Sequence, residues 1–349
     1  MRYTSVERCD LAVRSEAEAR KAGVSMAETV TRDNTYNGIR LSGGIDSAAG
    51  AGAGATTPTS GGVPAPASTA VQPTCTPTPG TTPVAAADAG AAPAPTPTPK
   101  TVALFATCVS DVMYPQTCAA TVELLERLGC RVVFPPQQTC CGQIFTNSGY
   151  HKEALGAVRA FAKAFAPYDY IVAPSGSCVA SIRDQHPMLA AQTGDTGLMQ
   201  AVAAVAARTY ELTEFLIDVL GTTDVGAYFP HTVTFHPTCH AVRMAKIGDR
   251  PYRLMQQVQG LTLLPLEGAD QCCGFGGTFS VKNSALSAAM VSDKAHEVER
   301  TGAEYLVNVD NACLMNIGGR LHREGSTIRT IHLAQILACT QENGQRWAS

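Results

Sequence analysis

Eight of the thirteen cysteines in this 349-residue chain fall into two matching sets. Thr139-Cys140-Cys141-Gly142-Gln143 returns as Gln271-Cys272-Cys273-Gly274-Phe275. Each adjacent pair has a cysteine upstream, Cys108 or Cys239, and another downstream, Cys178 or Cys313. The offsets agree: 239−108 is 131, 272−140 is 132 and 313−178 is 135. Soft thiolates in fours select iron–sulfur clusters or zinc. Cysteine as core filler accounts for isolated residues such as Cys118, Cys130 and Cys339, but not for eight recurring in register. Structural zinc usually takes its ligands from two short C-x-x-C knuckles. Here the Cys108–Cys140 and Cys141–Cys178 intervals are long and the central pair is adjacent, which favours a cluster over zinc or a vicinal disulfide.

The elements that must position these thiols can be read from the pattern around them. Thr101-Val-Ala-Leu-Phe-Ala-Thr107 is a short apolar run leading to Cys108, and predicts a buried strand. A helical spacing follows over Gln116 to Gly129, then a strand at Arg131-Val-Val-Phe134, a helix over Lys152 to Ala166, and a strand at Tyr170-Ile-Val-Ala173 before Cys178. The second half repeats the order. Strands are expected at Thr232 to Phe235, Leu261 to Leu264 and Tyr305 to Val309; helices are expected at Pro251 to Val258 and Ser284 to Thr301. Strands alternating with helices imply α/β architecture, here two pseudo-repeated β-α-β halves with parallel strands. Three strands are expected per half. The cysteines lie just past the strand ends, the edge where open α/β sheets collect ligands. Residues 187–228 read as a mostly helical connector and Ile331 to Ala338 as a closing helix.

Residues 1–99 read as a disordered Ala/Pro/Thr/Gly-rich tail and linker, because almost nothing there could offset its ordering entropy. A short helix over Ser15 to Thr29 is the exception, and Cys9 and Cys75 are expected to be incidental. The expected domains are 100–228, the first half with its connector, and 229–349, the second half. A formal charge of −3 gives no electrostatic reason for nucleic acid as a partner. The first residues lack a signal-peptide core and no run is long enough to span a membrane, so the expected address is cytoplasmic.

Other candidate groups are fewer. His236 and His240 bracket Cys239; histidine can ligate iron, but His240 reads better as a donor beside the thiol, and His236 as a strand-end residue bonded to a loop. Tyr114 and Phe275 are expected to shield the thiols. Gly274-Phe-Gly-Gly277 lacks the spacing of a phosphate-binding loop. No Ser-His-Asp arrangement or carboxylate pair stands out.

The run of one cysteine, a gap of some thirty residues, Cys-Cys-Gly, a second gap and a final cysteine resembles the cysteine-rich CCG domain known from heterodisulfide reductase and from the iron–sulfur component of glycolate oxidase. The resemblance is tightest to the lactate utilization protein A family. It is carried by Thr107-Cys-Val-Ser-Asp-Val-Met-Tyr-Pro115, Gln138-Thr-Cys-Cys-Gly-Gln143 and Ala173-Pro-Ser-Gly-Ser-Cys178. In the second half it is carried by Phe235-His-Pro-Thr-Cys-His240, Cys272-Cys-Gly-Phe-Gly-Gly-Thr-Phe-Ser280 and Cys313-Leu-Met-Asn-Ile-Gly-Gly319. The resemblance implies an iron–sulfur electron-transfer subunit of a complex that oxidises L-lactate to pyruvate. It implies a [4Fe–4S]-type cluster in each half, held by Cys108, Cys140, Cys141 and Cys178 and by Cys239, Cys272, Cys273 and Cys313. It also implies two partner subunits, one a larger iron–sulfur protein. Heterodisulfide reductase-type domains end the motif in C-x-x-C; Ser175 and Asp310 stand at those extra positions here, which suits four thiolates per half. A heterodisulfide reductase-like thiol–disulfide oxidoreductase and a zinc-held interaction scaffold are the alternative readings.

Overall fold

A computed structural model of the chain describes residues 99–348. The expected tail, the short helix at Ser15 to Thr29, Cys9 and Cys75 lie outside the described residues. Two four-stranded, all-parallel sheets form the described part, one per half, with helices against them. The first sheet is ordered β2-β1-β3-β4, from β1 (Thr101–Leu104), β2 (Arg131–Val133), β3 (Tyr170–Ala173) and β4 (Thr209–Glu211). The second is β6-β5-β7-β8, from β5 (Thr232–Phe235), β6 (Thr262–Leu264), β7 (Tyr305–Asn308) and β8 (Arg329–His332). Both belong to one compact unit.

The helices used below are α1 (Cys108–Met113), α2 (Pro115–Arg127), α3 (His151–Phe165), α4 (Gly176–Ala180), α5 (His186–Thr193), α6 (Thr196–Ala206), α7 (Arg250–Met255), α8 (Ser284–Arg300), α9 (Asn311–Arg323) and α10 (Leu333–Ala338). Their buried faces follow the sequence period. In α3, Ala154, Val158, Phe161, Ala162 and Phe165 recur at three- and four-residue steps and face the core. The central strands are buried almost throughout: Val102, Ala103, Ile171, Val172, Ala173, Leu306 and Val307 have essentially no exposure. That is the near-continuous apolar run expected of parallel strands covered on both faces.

Two expectations needed correction. The mostly helical connector also holds a strand that was not expected: α5 and α6 are followed by β4, which extends the first sheet beside β3. The closing segment is not helical from Ile331: Arg329–His332 is β8, and α10 starts at Leu333. Each half thus has four strands rather than three. The two missed strands are short edge strands, and strand and helix cannot be told apart by periodicity over so few residues.

The halves are stitched together. The Arg127 guanidinium at the end of α2 donates to the carbonyls of Ala338, Leu337 and Val225. Glu123, also on α2, accepts from Trp347 Nε1 at 3.0 Å and pairs with Arg346. No helix among the described residues is long and apolar enough to cross a membrane.

Candidate metal centre

All eight cysteines of the two sets line one cavity of about 930 Å3, counting its open mouth. None of them is in a disulfide. Cys108 opens α1, directly beyond β1; Cys178 lies in the first turn of α4, beyond β3; Cys313 lies in the first turn of α9, beyond β7. The adjacent pairs sit on the loops after β2 and β6. The strand ends therefore deliver the thiols to one edge of each sheet, as the spacing predicts.

Within the first set, Cys108 Sγ lies 3.6 Å from Cys140 Sγ, and Cys141 Sγ lies 3.6 Å from Cys178 Sγ. In the second, Cys239 Sγ lies 3.9 Å from Cys272 Sγ. In each adjacent pair the first residue is half-buried and the second is buried. The glycine after each pair is obligatory. Gly142 and Gly274 have φ of 80° and 81°, and an added Cβ would meet Ala157 Cβ at 3.0 Å or the Ser287 carbonyl at 2.9 Å. Each turn aims a backbone N–H at sulfur: Gly142 N to Cys140 Sγ and Gly274 N to Cys272 Sγ, both 3.4 Å. The carbonyl of the second cysteine is also held in both halves. His186 Nε2 donates to the Cys141 carbonyl at 2.7 Å, and Asn316 Nδ2 to the Cys273 carbonyl at 2.8 Å.

The thiols share their protons unevenly. Cys140 is pulled down to about 2 because the thiols of Cys108 and Cys141 donate to it, with Gly142 N–H assisting. Cys272 is pulled down to about 2 in the same way by Cys239 and Cys273, assisted by Gly274 N–H. Their donors move up: Cys108 and Cys239 through the hydrogen bond each gives and through burial, Cys141 and Cys273 through two such contacts and deeper burial. Cys140 and Cys272 are thus the favoured thiolates, and the thiols that donate to them keep their protons through those hydrogen bonds and through burial. A cation among the sulfurs is what lets all four ionise. Convergent free thiols with backbone N–H groups aimed at sulfur fit a thiolate-ligated metal or iron–sulfur cluster in each half.

The two positions where related motifs carry an extra cysteine are engaged with each other. Ser175 Oγ donates to Asp310 Oδ2 at 3.0 Å, and Ser177 N donates to the same oxygen at 2.9 Å. Ser175 also caps α4 by accepting from Cys178 N, and Asp310 caps α9 by accepting from Ala312 N. These side chains join the halves where α4 meets the end of β7. Gly176 N donates to the Val309 carbonyl there, and an added Cβ on Gly176 would lie 2.5 Å from Ala241 Cβ. Asn311 Nδ2 crosses to Ser110 Oγ and Thr117 Oγ1, both 3.0 Å. Also between the halves, Ser148 bonds Thr278, and the Lys282 ammonium stands over the Tyr150 ring.

Of the other groups singled out in the sequence, His240 Nδ1 lies 3.5 Å from Cys239 Sγ, and Phe275 lines the cavity. Cys118 is on α2 and donates to the Ala106 carbonyl; Cys130 and Cys339 are buried. His236 directly follows β5 and is fully buried; neither ring nitrogen has a hydrogen bond of ordinary geometry, and its backbone neighbour is Ala269 on the loop after β6, the kind of loop contact expected of it. His186, Asn316, Asn311 and the Ser175–Asp310 tie were not foreseen. The last was accessible, since both residues sit three positions before a repeated cysteine; His186 and Asn316 do the same work from different positions, 8 residues after Cys178 and 3 after Cys313, so the repeat gives no signal for them. Val112, Met113, Ile144 and Phe145, next to the thiols, expose apolar surface.

The CCG family, described as a cysteine-rich domain, matches at residues 102–183 and 233–318. Lactate utilization protein A of Oceanobacillus iheyensis is 46% identical over 243 residues, 70% of this chain and 98% of that protein. The protein of the same name from Geobacillus kaustophilus is 50% identical over 236 residues, 68% of this chain and 98% of that protein. Among solved structures, a hypothetical protein from Helicobacter pylori is similar in fold, with a TM-score of 0.50 and 14% identity over 68% of this chain and 48% of that one.

Proposed function

The chain belongs to the lactate utilization protein A family, and from that premise we propose that it is an iron–sulfur electron-transfer subunit of a complex oxidising L-lactate to pyruvate. The reading is carried by one observation: eight unpaired thiols in two equivalent sets face one cavity. In this reading Cys108, Cys140, Cys141 and Cys178 hold one [4Fe–4S] cluster, and Cys239, Cys272, Cys273 and Cys313 a second. The functional division falls between residues 100–228 and 229–349. Each cluster, when bound, supplies one-electron transfer; lactate oxidation releases two electrons.

The chain's own residues set the conditions. Gly142 and Gly274 N–H groups place positive dipole on a sulfur, which favours the more reduced state. Cys141, Cys178, Cys273 and Cys313 are buried, which keeps water from that side of each set. Cys108 is exposed at the edge, beside Val112 and Met113, and this is the face by which a redox partner approaches closely. The partners are a larger iron–sulfur protein and a third small subunit, with a respiratory acceptor beyond them, in the cytoplasm.

The shared cavity also favours a second reading, reduction of a disulfide substrate held between the two sets. Thiols 3.6 to 3.9 Å apart equally match the edge of a tetrahedron around one ion with bonds of about 2.3 Å, the zinc scaffold. One preparation separates the three. Protein purified without oxygen is analysed for iron, sulfide and zinc, then reduced and mixed either with an artificial electron acceptor or with a disulfide. About eight irons per chain and electron delivery without disulfide turnover is the expected result. Four irons would remove one centre, disulfide turnover would favour the second reading, and colourless zinc protein would end the first.

A further inference from the structure

The two sets of thiols are matched, but what lies behind them is not. Phe105-Ala-Thr-Cys108 corresponds to His236-Pro-Thr-Cys239. The backbone agrees: Phe105 N donates to the Val172 carbonyl and His236 N to the Val307 carbonyl, at 2.8 and 3.0 Å. Phe105 packs edge-on against Phe161 and Phe165. At the matching place in the second half stands an imidazole. It is completely buried, with no formed hydrogen bond at either nitrogen. A buried polar group of this kind is destabilising unless something binds it.

What it faces is sulfur. Among the described residues, His236, Cys273 and Cys313 form the one fully buried set of three metal-ligating groups whose donor atoms all lie within 4.8 Å of one another. Among the same residues no such trio exists around Cys141 and Cys178, where the matching side chain is Phe105. The Ala269 backbone lies on the ring closely enough to raise its proton affinity, though short of a formed hydrogen bond. Ligating histidines commonly hold their second nitrogen against such a carbonyl.

We propose that His236 is a nitrogen donor to the metal centre of the second half, beside Cys273 and Cys313 and in place of one of the half-buried thiols Cys239 and Cys272, so that the number of ligands stays at four and the chain's two centres differ in their ligands. This rests on the reading that each half holds a metal centre, and the two can fail separately. The full chain is labelled with 15N-histidine, purified without oxygen, reduced and studied by pulsed EPR, together with unlabelled protein and with His236→Phe and His240→Gln. A strong nitrogen coupling that changes with the label, survives in H240Q and disappears in H236F is the expected result. Clusters present without a histidine coupling, or with only the weak coupling of an N–H···S contact, overturn it. The labelled wild-type spectrum decides even where H236F does not fold. If the analysis finds zinc and no iron, the electron-transfer reading fails. The ligand assignment is then decided at the zinc absorption edge: imidazole scattering in the wild type sustains it, and an all-sulfur environment overturns it.

Discussion

The first and second halves deliver their thiols alike and surround them differently. Around Gly142 and Gly274 the helices α3 and α8 present matching neighbours, Ala157 and Met290, 133 positions apart (290 − 157). Carried along the helix, that offset sets Phe161 against Lys294 (294 − 161). In the first half Phe105 and Phe161 meet edge-to-face at 5.1 Å, with His186 closing the group against Phe161. In the second half the corresponding positions hold His236 and Lys294; Lys294 is buried, bonded to the Gly268 carbonyl and paired with Glu297. At the end of the third strand, Ala173 corresponds to Asn308, which takes a hydrogen bond from Thr238 at 2.6 Å. The first set is thus backed by an aromatic cluster and the second by a polar one. The backbone of the first carries the strain: Thr107, before Cys108, has φ of 64°, while Thr238, before Cys239, is not in that region. One ligand frame can be kept by glycine turns and strand ends while its backing is exchanged, because the frame is made by backbone and the backing by side chains.

The sharpest way to break the equivalence is to remove one set at a time. Cys141→Ser and Cys273→Ser are each expected to lose about half the iron, from their own half, as read by iron analysis and EPR after anaerobic purification. Equal loss of both centres in each variant would mean that the sets do not act independently.

Next in size is the polar backing. Lys294→Met leaves Glu297 without its partner in a buried place and is expected to cost about 3–5 kcal/mol in urea unfolding. Adding Glu297→Leu should restore most of that loss. A small effect of the single change would show that the pair does not support the second set.

The fourth strands end in matched capping residues with opposite pH behaviour. Glu211 pairs in register with Ala173, and His332 with Asn308, and each begins a helix through a capping box. Burial pushes Glu211 up to about 8 and His332 down to about 4. For His332 the unfolded chain takes a proton below its ordinary 6.5 while the folded one resists, so stability is lost as pH falls from 6.5 toward 4. For Glu211 the folded chain keeps a proton that the unfolded one has released, so stability is lost as pH rises from 4.5 toward 8. By the size of these shifts His332 accounts for at most about 3 kcal/mol and Glu211 for at most about 5 kcal/mol. Unfolding measured across pH should show the acid limb shallower by about one proton in His332→Gln, and the alkaline limb likewise in Glu211→Gln. Unchanged slopes would contradict the burial assigned to them.

The smallest effect is expected at the join between the halves. Ser175→Ala should cost about 1 kcal/mol and Asp310→Ala about 2 kcal/mol, since Asp310 also accepts from Ser177 N and Ala312 N. Iron content should be unchanged in Ser175→Ala if Ser175 joins halves rather than ligates.

The α/β class, the repeat, the placing of thiols beyond strand ends and the core strands could be read from one sequence, because they rest on local periodicity and on glycines whose φ only glycine adopts readily. The edge strands β4 and β8 could not, since a three- or four-residue strand exists only through the neighbour it pairs with. The meeting of both thiol sets in one cavity, the Ser175–Asp310 bond and the choice of aromatic or polar backing were decided by tertiary structure alone. They depend on contacts between residues far apart in the chain, and a pattern along the chain records which residues repeat but not which surfaces those repeats turn toward each other.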